Sequence, residues 1–377
     1  MKVTRLTKSI DEHRQCWIGL MAKSSTPCWP TDNPALVDVI AKTWRWRQQQ
    51  VAFFFEGRML AMLSASKIGS VWMSLPHFDH GAIWVDLEWL SLKLEDTKNR
   101  EIDVRGFYLF FIQRFLQIVD TDNKEKSNIK LFEVVLDDGF PFSDSEEINF
   151  VKRFRCRSHV RLLDFFNDTK TVPTIKLPAQ LENLLAVFPA NVRRKIRKSF
   201  KNGITVKSGG GELMDLFYGV YTANIKKHGS FGLPKRFFRN LMNNYKNGKV
   251  NIVLAYYEKV VVGAAIIQTF NGVVENIAFA TSKPFNYLYI SYALHYSMMK
   301  IAIDDQCTSY SFGRSTAGST GHHYKKQWGT TDVPLFFNDS EKEVQINSGS
   351  KIINAILRHI PAIIRQPFDN IVSYYKY

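Results

Sequence analysis

The stretch NIVLAYYEKVVVGAAIIQTFNGVVENIAFA, residues 251–280, contains three apolar runs separated by two short turns. Glu258-Lys259 separates the first two runs, and Asn271-Gly272 separates the second from the third. Asn-Gly is a favoured two-residue hairpin turn because both positions accept positive φ angles. The pattern therefore predicts three antiparallel strands in succession, over residues 251–257, 260–269 and 273–280.

A helix and a further strand are predicted after these three strands. In SKPFNYLYISYALHYSMMKIAI, residues 282–303, Pro284 stands where a helix can begin. The apolar residues that recur after it at helical spacing are Tyr287, Ile290, Leu294, Met298 and Ile301. The stretch SYSFG, residues 309–313, has the pattern of another strand. This order predicts an α/β (α+β) fold, in which helices flank a mixed, mostly antiparallel sheet.

The first half of the chain shows the same order of predicted strands and helix, although less clearly. Its matching segments are VAFFF (51–55), MLAMLSAS (59–66), VWMSL (71–75), the amphipathic FYLFFIQRFLQIV (107–119) and LFEVVL (131–136). A shift of 202 residues superposes Glu56 on Glu258 and Ala61 on Gly263. The sequence thus predicts a tandem repeat: a first domain over 1–166, a linker over 167–178, a second domain over 179–340, and a tail over 341–377. The tail contains KIINAILRHI, which has the pattern of an amphipathic helix ending before Pro361.

Positive charge is concentrated in one part of the chain. The 50 Lys and Arg exceed the 35 Asp and Glu, but residues 1–160 have a net charge of only +1, so residues 161–377 carry +14 of the +15. The segment FPANVRRKIRKSFKNG, residues 188–203, is a predicted helix with Asn191 as its candidate N-cap. Its basic cluster is Arg193, Arg194, Lys195, Arg197 and Lys198. Unpaired charge at this density favours an anionic ligand, such as the phosphate of a cofactor, a nucleotide sugar, a lipid or RNA. The alternative is an ordinary solvated helix face.

A second polar segment is KKHGSFGLPKRFF, residues 226–238, which reads as a loop followed by a helix beginning near Pro234. His228 and Ser230 lie in the loop and are capable of proton transfer or hydrogen bonding. The alternative is that His228 is a loop histidine with no special role.

The densest polar segment is SFGRSTAGSTGHHYKKQWG, residues 311–329. The carboxyl end of a strand is a common ligand position in mixed sheets, and an arginine there suits a carboxylate or phosphate. The candidate binding residues are Arg314, Ser315, Tyr324 and Lys325, and the alternative is a mobile surface loop. The adjacent His322 and His323 do not easily face one metal ion, so no metal is predicted.

Glu275 lies between apolar neighbours in the third predicted strand. Strand alternation puts it on the face opposite Val274 and Asn276. It is either a half-buried general base, whose pKa burial would raise, or an edge carboxylate that faces water.

No secretory signal or transmembrane segment is predicted, because the first residues are charged and every uncharged run is too short or too polar. The four cysteines, Cys16, Cys28, Cys156 and Cys307, are scattered and form no CxxC pair. We therefore expect a cytosolic protein with reduced core thiols.

Taken in order, several segments resemble the FemAB/FemX proteins of the GNAT superfamily, and most of all the FemAB-related, BioF2-like acyltransferases associated with bacterial exopolysaccharide systems. The segments are RRKIRK, HGSFGLPKRFF, ENIAFA, PFNYLYISYAL, FGRSTAGST and YKKQWG, with VWMSLPHFDHGAIW (71–84) in the first half. The resemblance covers roughly residues 40–340. It implies two tandem GNAT-like domains and transfer of an acyl or aminoacyl group to an amine or hydroxyl of a cell-envelope precursor.

The sequence departs from this family at the two places where an acyl donor would be recognised. GNAT enzymes that use coenzyme A have a glycine-containing turn after the fourth strand, but residues 282–289 contain no glycine. Asn286 and Tyr287 are the candidate cofactor-binding residues there. Peptidoglycan-bridge members take aminoacyl-tRNA and add a coiled-coil arm, and no long heptad segment occurs here. The resemblance therefore leaves both acyl-coenzyme A and aminoacyl-tRNA as candidate donors.

The first half differs from the family as well, because His77 and His80 stand where closer relatives tend to have other residues. This difference suggests that the first half has a structural role more than a catalytic one. The expected function is acyl transfer in which Arg314 and Ser315 anchor a substrate, Lys325 and the basic cluster bind an anion, and Glu275 and His228 are alternative bases. One alternative is an aminoacyl-tRNA-dependent peptidyltransferase. Another is a non-catalytic scaffold that binds an envelope intermediate at the membrane surface.

Overall fold

A computed structural model describes residues 2–5, 10–24, 28–78, 80–81, 83–90, 104–121, 129–135, 154–155, 157–159 and 167–337. The chain divides into two compact units, the first formed by residues 1–170 and 334–341 and the second by residues 171–333 and 342–377. The predicted tail helix within 341–377 lies outside the described residues.

The first unit is a mixed sheet with helices. Its helices are α1 (Ile10–Lys23), α2 (Leu36–Trp44) and α3 (Val104–Thr121), with a 3₁₀ turn at Pro30–Asp32. Its strands are β1 (Lys2–Arg5), β2 (Arg47–Phe55), β3 (Arg58–Ile68), β4 (Val71–Ser74), β5 (Ile83–Val85), β6 (Ile129–Val135), β7 (Phe154–Arg155) and β8 (Arg157–Ser158). The sheet order is β1-β6-β2-β3-β4-β7, and β5 pairs with β3.

The core of the first unit confirms the amphipathic pattern predicted for residues 107–119. Phe107, Phe111 and Phe115 recur every four residues on α3 and are fully buried. They belong to one apolar cluster with Val51 and Phe53 of β2. The phenylalanines therefore fix α3 on the sheet.

Except for residues 167–170 and 334–337, which belong to the first unit, the remaining regular elements belong to the second unit. Its helices are α4 (Ala190–Lys201), α5 (Met214–His228), α6 (Lys235–Asn244), α7 (Ile290–Asp304) and α8 (Thr320–Lys326), with 3₁₀ turns at Leu181–Val187, Gly211–Leu213 and Lys283–Leu288. Its strands are β9 (Asn167–Lys176), β10 (Ile204–Gly209), β11 (Lys249–Tyr257), β12 (Val260–Phe270), β13 (Val273–Thr281), β14 (Ser309–Ser311), β15 (Ser315–Thr316) and β16 (Thr331–Phe337). The sheet order is β10-β11-β12-β13-β14-β9-β16.

The predicted repeat is present with its offset of 202 residues. Strands β2 and β3, shifted by 202, coincide at both ends with β11 and β12, and β4 and β13 begin at equivalent residues. Both hairpins also have a bulge at the same place, between Phe53 and Phe54 and between Ala255 and Tyr256. Glu56 and Glu258 both adopt positive φ in the connecting turns. The two units therefore contain equivalent hairpins, each with a bulge at the same position.

The stretch predicted as a linker, residues 167–178, contains the regular strand β9. Residues Thr174, Ile175 and Lys176 of β9 pair antiparallel with β14. Pro173 lacks a backbone N–H, and its carbonyl accepts a hydrogen bond from the N–H of Phe312 at 3.0 Å. A proline is compatible with this strand because its carbonyl can still take part in pairing.

The helix that follows strands β11, β12 and β13 begins later than predicted. Pro284 lies in the 3₁₀ turn Lys283–Leu288, and α7 starts only at Ile290. Tyr289 has a φ of 59°, in the left-handed region, which interrupts the helix between the two segments. Leu294 and Met298 are buried as the helical spacing predicted, whereas Tyr287 is exposed.

The first unit contains a buried polar cluster around Trp29. The ring centroids of His80 and His159 lie 5.1 and 4.8 Å from that of Trp29 and 4.6 Å from each other. Asp32 is buried beside them, and its Oδ2 accepts a hydrogen bond from the Trp29 backbone N–H at 2.8 Å. Burial raises the pKa of Asp32 to about 7, and this hydrogen bond only partly opposes the effect.

We predict that Asp32→Asn makes the protein more stable than wild type in alkaline solution. Because the pKa of Asp32 is higher in the folded state than in the unfolded state, the stability that the neutral carboxyl contributes is lost as the pH rises through about 7. Each pKa unit corresponds to about 1.4 kcal/mol, so the loss is on the order of a few kcal/mol. Thermal unfolding between pH 5 and pH 8.5, roughly spanning the shifted pKa, measures it.

The side-chain amide introduced by Asp32→Asn can still accept the hydrogen bond from the Trp29 N–H but cannot ionise. Glu56→Gln, in an exposed turn, is the matched control and should follow the wild-type pH profile. Parallel pH profiles for wild type and Asp32→Asn would contradict the prediction.

Candidate active site

Strands β13 and β14 run parallel for a short distance and then separate. Their pairs are Val273 with Ser309, Val274 with Tyr310, and Glu275 with Ser311. Strand β14 ends at Ser311, whereas β13 continues to Thr281. The chain after β14 thus separates from β13 beyond Glu275, while the Phe312 N–H still bonds to the Pro173 carbonyl of β9. The polar segment 311–329 begins there.

Three polar side chains lie side by side across the sheet at this level. Gln268 of β12 pairs with Glu275, which pairs in turn with Ser311. Gln268 donates from Nε2 to Glu275 Oε2 at 3.3 Å, and Ser311 donates from Oγ to Glu275 Oε1 at 3.4 Å. We call these three residues the polar rung. Each is buried, with Glu275 only 3% exposed, so this carboxylate is not the water-facing edge group that was one of its two predicted alternatives.

The polar rung is joined to the loop that follows β14. The Gly313 N–H donates to Ser311 Oγ at 3.2 Å. From the other side, Lys325 of α8 donates from Nζ to the carbonyl oxygens of Gly313 and Arg314 at 2.8 and 3.0 Å. Two side chains therefore hold the backbone of residues 313–314 in place, which differs from the alternative of a mobile surface loop.

The predicted binding residues of this segment differ in exposure. Arg314 is exposed and Ser315 is buried. Tyr324 packs its ring 5.5 Å from that of Tyr292, and burial raises its pKa. Glu275, Arg314, Ser315 and Lys325 are thus gathered at one end of β14, while the partly buried ring of Tyr324 packs against the core.

His228 and Ser230 lie on another element. His228 is the last residue of α5 and is exposed, and Gly229 caps that helix in the left-handed conformation with a φ of 64°. Ser230 is also exposed, and its N–H bonds to the carbonyl of Ile225 at 3.2 Å. His228 therefore ends a helix rather than lying inside the predicted loop. The next helix, α6, begins at Lys235 after Pro234, as predicted.

The basic cluster lies on α4, but its side chains have different environments. The N-cap of α4 is Pro189 rather than the predicted Asn191. Arg193 donates from Nη1 to the carbonyl of Phe188 at 2.9 Å, and Lys195 donates from Nζ to Tyr292 Oη at 2.9 Å and Gln327 Oε1 at 3.2 Å. Lys198 Nζ lies 5.2 Å from the ring centroid of Tyr289. Arg193, Lys195 and Lys198 of the predicted anion-binding cluster therefore make contacts within the second unit.

The two predicted cofactor-binding residues lie in the 3₁₀ turn before α7. Asn286 and Tyr287 are both exposed. The backbone N–H groups of Tyr292 and Ala293 donate to the carbonyl of Tyr289 at 3.0 and 3.4 Å. The exposed turn that contains Asn286 and Tyr287 thus directly precedes the first turn of α7.

His295 is buried in the core of the second unit, although no sequence motif indicated a functional role for it. Its Nδ1 lies 2.8 Å from Tyr310 Oη, and its ring stacks on Phe279 at 4.5 Å with an interplanar angle of 9°. Burial lowers the pKa of His295 well below its usual value, and the charge of Lys325 adds to this effect. A histidine on the apolar stripe of α7, beside Leu294 and Met298, was the only sequence signal for this position.

Within the described parts of the chain, no group of three or more His, Cys, Asp or Glu is arranged to hold a metal ion. Cys28 and Cys307 are buried, whereas Cys16 is exposed and is not the core thiol we expected. Cys156 lies outside the described residues. No described helix is both long enough and apolar enough to cross a membrane.

Residues 188–326 match a protein-family model described as an acetyltransferase (GNAT) domain. This region runs from the residues just before α4 to the end of α8, so it includes the polar rung and the Lys325 contacts. Among curated proteins, the chain is 25% identical over 137 residues to the UDP-N-acetylmuramoylpentapeptide-lysine N(6)-alanyltransferase of Weissella viridescens. That match covers 36% of this chain and 40% of the relative.

Among solved structures, the chain is similar to the crystal structure of FemX, with a TM-score of 0.58 and 14% sequence identity. The similarity covers 90% of this chain and 97% of FemX. The chain therefore has the fold of FemX, and residues 188–326 in its second half are similar to GNAT domains. These findings confirm the predicted fold class and the resemblance to the FemAB/FemX-like GNAT proteins.

We predict that the buried His295 makes folding less favourable in acid. Because the pKa of His295 is lowered in the folded state, the unfolded chain binds a proton more readily than the folded chain. The free energy of unfolding therefore decreases as the pH falls through the histidine pKa of the unfolded chain. The double variant His295→Phe/Tyr310→Phe removes both hydrogen-bond partners. It should lose less stability than wild type between pH 7.5 and pH 5.5, roughly one unit either side of the ordinary histidine pKa.

Thermal unfolding of wild type, the double variant and Tyr310→Phe alone measures this difference. Tyr310→Phe retains the histidine, so it should keep the acid sensitivity and serves as the matched control. A double variant as acid-sensitive as wild type would show that His295 is not responsible.

Proposed function

We propose that this protein is a transferase that moves an acyl or aminoacyl group from an activated donor to an amine or hydroxyl of a cell-envelope precursor. The precursor that we propose is one of an exopolysaccharide. The observation that carries the proposal is the coincidence of the GNAT-matching region, residues 188–326, with the place where β13 and β14 separate. The buried carboxylate of Glu275 lies there, next to the loop whose backbone is hydrogen-bonded to the side chains of Ser311 and Lys325. We further propose that the reaction takes place in the cytoplasm, peripheral to the inner face of the membrane.

The proposed reaction is nucleophilic substitution at the donor's acyl carbon. The acceptor nitrogen or oxygen forms a bond to that carbon, and the bond to the donor's sulfur or ribose oxygen breaks. A base takes the proton that the nucleophile loses, and the departing thiolate or alkoxide receives a proton. Positioning the two substrates supplies much of the rate enhancement.

The roles proposed for the residues at the end of β14 follow from their placement. Exposed Arg314 anchors a carboxylate or phosphate, because a guanidinium binds such groups with two parallel hydrogen bonds. Ser315 completes this anchor, and Lys325 both fixes the loop and places positive charge beside it. Arg193, Arg194, Lys195, Arg197, Lys198, Ser230 and Tyr324 remain proposed substrate-binding residues.

Two residues remain candidates for the base. Glu275 is buried at the point where the strands separate, and a carboxylate in that position can take a proton from a nucleophile approaching the end of β14. His228 is exposed at the end of α5, and an imidazole side chain is a common general base.

The proposed donor is acyl-coenzyme A or an aminoacyl-tRNA. The exposed turn with Asn286 and Tyr287 is the proposed contact for the donor's phosphates in either case. Aminoacyl-tRNA is favoured by the partial similarity to an alanyltransferase acting on a muramoylpentapeptide. The corresponding alternative function is an aminoacyl-tRNA-dependent peptidyltransferase with tRNA as a partner. A second alternative is a non-catalytic GNAT scaffold that binds an envelope intermediate, which the glycine-free turn at 282–289 favours.

We predict that Arg314→Ala lowers kcat/KM by roughly 10- to 100-fold, because a hydrogen bond to a charged group contributes about 1.5–3 kcal/mol. An acyl-transfer assay with the accepted donor measures this effect. The same substitution should not change the melting temperature, since the Arg314 side chain is exposed. Full activity of both Arg314→Ala and Glu275→Gln would refute the assignment of the site.

The identity of the base is predicted separately. If Glu275 is the base, Glu275→Gln lowers kcat by about 100-fold or more, whereas His228→Ala has little effect. The reverse result assigns the base to His228. Glu258→Gln, in the exposed turn between β11 and β12, is the matched carboxylate control and should retain wild-type kcat.

The donor can be identified by native mass spectrometry of the protein with acyl-coenzyme A, aminoacyl-tRNA and nucleotide sugars. We expect one of the first two to bind and to raise the melting temperature, because a ligand that binds only the folded state stabilises it. Binding of neither donor, together with retained binding of an envelope precursor, would favour the non-catalytic scaffold.

A further inference from the structure

Helix α4 has two different faces. Val192, Ile196 and Ser199 are buried against the second unit. Arg194, Arg197, Lys198 and Lys201 follow the spacing i, i+3, i+4, i+7 on the opposite side, and all four are exposed. We call these four residues the basic stripe. It is about 10 Å long, since a helix rises about 1.5 Å per residue.

The sequence around the basic stripe lacks compensating charge. Residues 183–211 contain no Asp or Glu. Like charges at this spacing on a helix destabilise it, which is the cost of keeping four cations on one face. An anionic surface opposite the stripe would relieve that repulsion.

Exposed aromatic rings lie next to the basic stripe. Phe200 of α4 is 38% exposed, and Tyr287 in the turn before α7 is 65% exposed. The Phe200 ring lies 6.0 Å from that of Tyr296 on α7, and Lys198 Nζ lies 5.2 Å from the Tyr289 ring. The stripe and the rings therefore belong to neighbouring surfaces of α4 and the start of α7.

We propose that the basic stripe, with Phe200 and Tyr287, binds the surface of an anionic lipid bilayer. Basic side chains are attracted to anionic lipid headgroups, and amphipathic aromatic rings are favoured at the boundary between headgroups and hydrocarbon. The apolar face of α4 is already used by the protein core, so α4 rests on the headgroups instead of inserting. Arg194, Arg197, Lys198 and Tyr287 are also proposed ligand contacts of the transferase, but vesicle binding is measured without acyl transfer, so the two proposals can fail separately.

The placement of the charges favours a membrane over a nucleic acid. Proteins that bind single-stranded nucleic acid use a basic groove that follows the phosphates, with aromatic rings that stack on the bases. Here the four cations project outward from one ridge, on the side of α4 away from the core. An outward ridge can approach a flat surface with all its charges at once.

The test is sedimentation of the full chain with phosphatidylcholine vesicles, with and without phosphatidylglycerol. The variant Arg194→Gln/Arg197→Gln/Lys201→Gln removes three charges of the basic stripe. Each basic residue near an anionic surface contributes about 1 kcal/mol, or roughly fivefold in partitioning, so the variant should bind more than tenfold more weakly.

The matched control is Lys227→Gln/Arg236→Gln/Lys246→Gln, which removes three exposed basic residues of the same sequence region from outside α4. It should retain most of the vesicle binding. A second variant, Phe200→Ser/Tyr287→Ser, leaves the charge unchanged and should weaken the binding that remains at high salt, where electrostatic attraction is screened.

Three results would overturn the proposal. Equal losses in the two triple variants would assign binding to net charge alone, and equal binding to neutral and anionic vesicles would exclude headgroup attraction. Loss of RNA-homopolymer binding in the stripe variant, with unchanged vesicle binding, would identify the surface as a nucleic-acid face. Circular-dichroism melting of each variant verifies that it is folded, and a salt titration of wild type tests the charge dependence without any substitution.

Discussion

The site depends on the short parallel pairing between β13 and β14. This pairing has only three residue pairs and stops at Glu275 and Ser311. It buries a carboxylate in the sheet, which is unfavourable unless that group is hydrogen-bonded. Gln268 and Ser311 supply the donors because the register places them on either side of Glu275. The end of the pairing thus fixes both the position of the carboxylate and the point at which the following chain leaves β13.

The hairpins and the repeat could be predicted from local signals. Turn residues at Glu258-Lys259 and Asn271-Gly272 separate apolar runs of strand length, so β11, β12 and β13 were expected nearly at their observed limits. The burial of Glu275 could not be decided in this way. Alternation assigns it to a face, but its burial depends on β14 and α5, which lie far away in sequence and pack on β13.

The same limit explains the differences found in the charged segments. The sequence predicted the basic helix, but it does not show that Tyr292 and Gln327 lie within hydrogen-bond distance of Lys195. Likewise, Asn286 and Tyr287 were placed at the start of a continuous helix, whereas the left-handed conformation of Tyr289 separates them from α7. Side-chain partners and backbone reversals of this kind are set by tertiary packing, which overrides local propensity.

The repeat also explains why the chemistry is assigned to the second unit. In the first unit β4 pairs parallel with β7 through Trp72–Phe154 and Met73–Arg155. The offset of 202 residues aligns Trp72 with Val274 and Met73 with Glu275, so the parallel pairs fall at equivalent levels of the two sheets. At the level of the polar rung, however, the first unit has Ser66 and Met73 where the second has Gln268 and Glu275. A thioether accepts no proton at neutral pH, so the first unit retains the backbone arrangement and lacks the carboxylate.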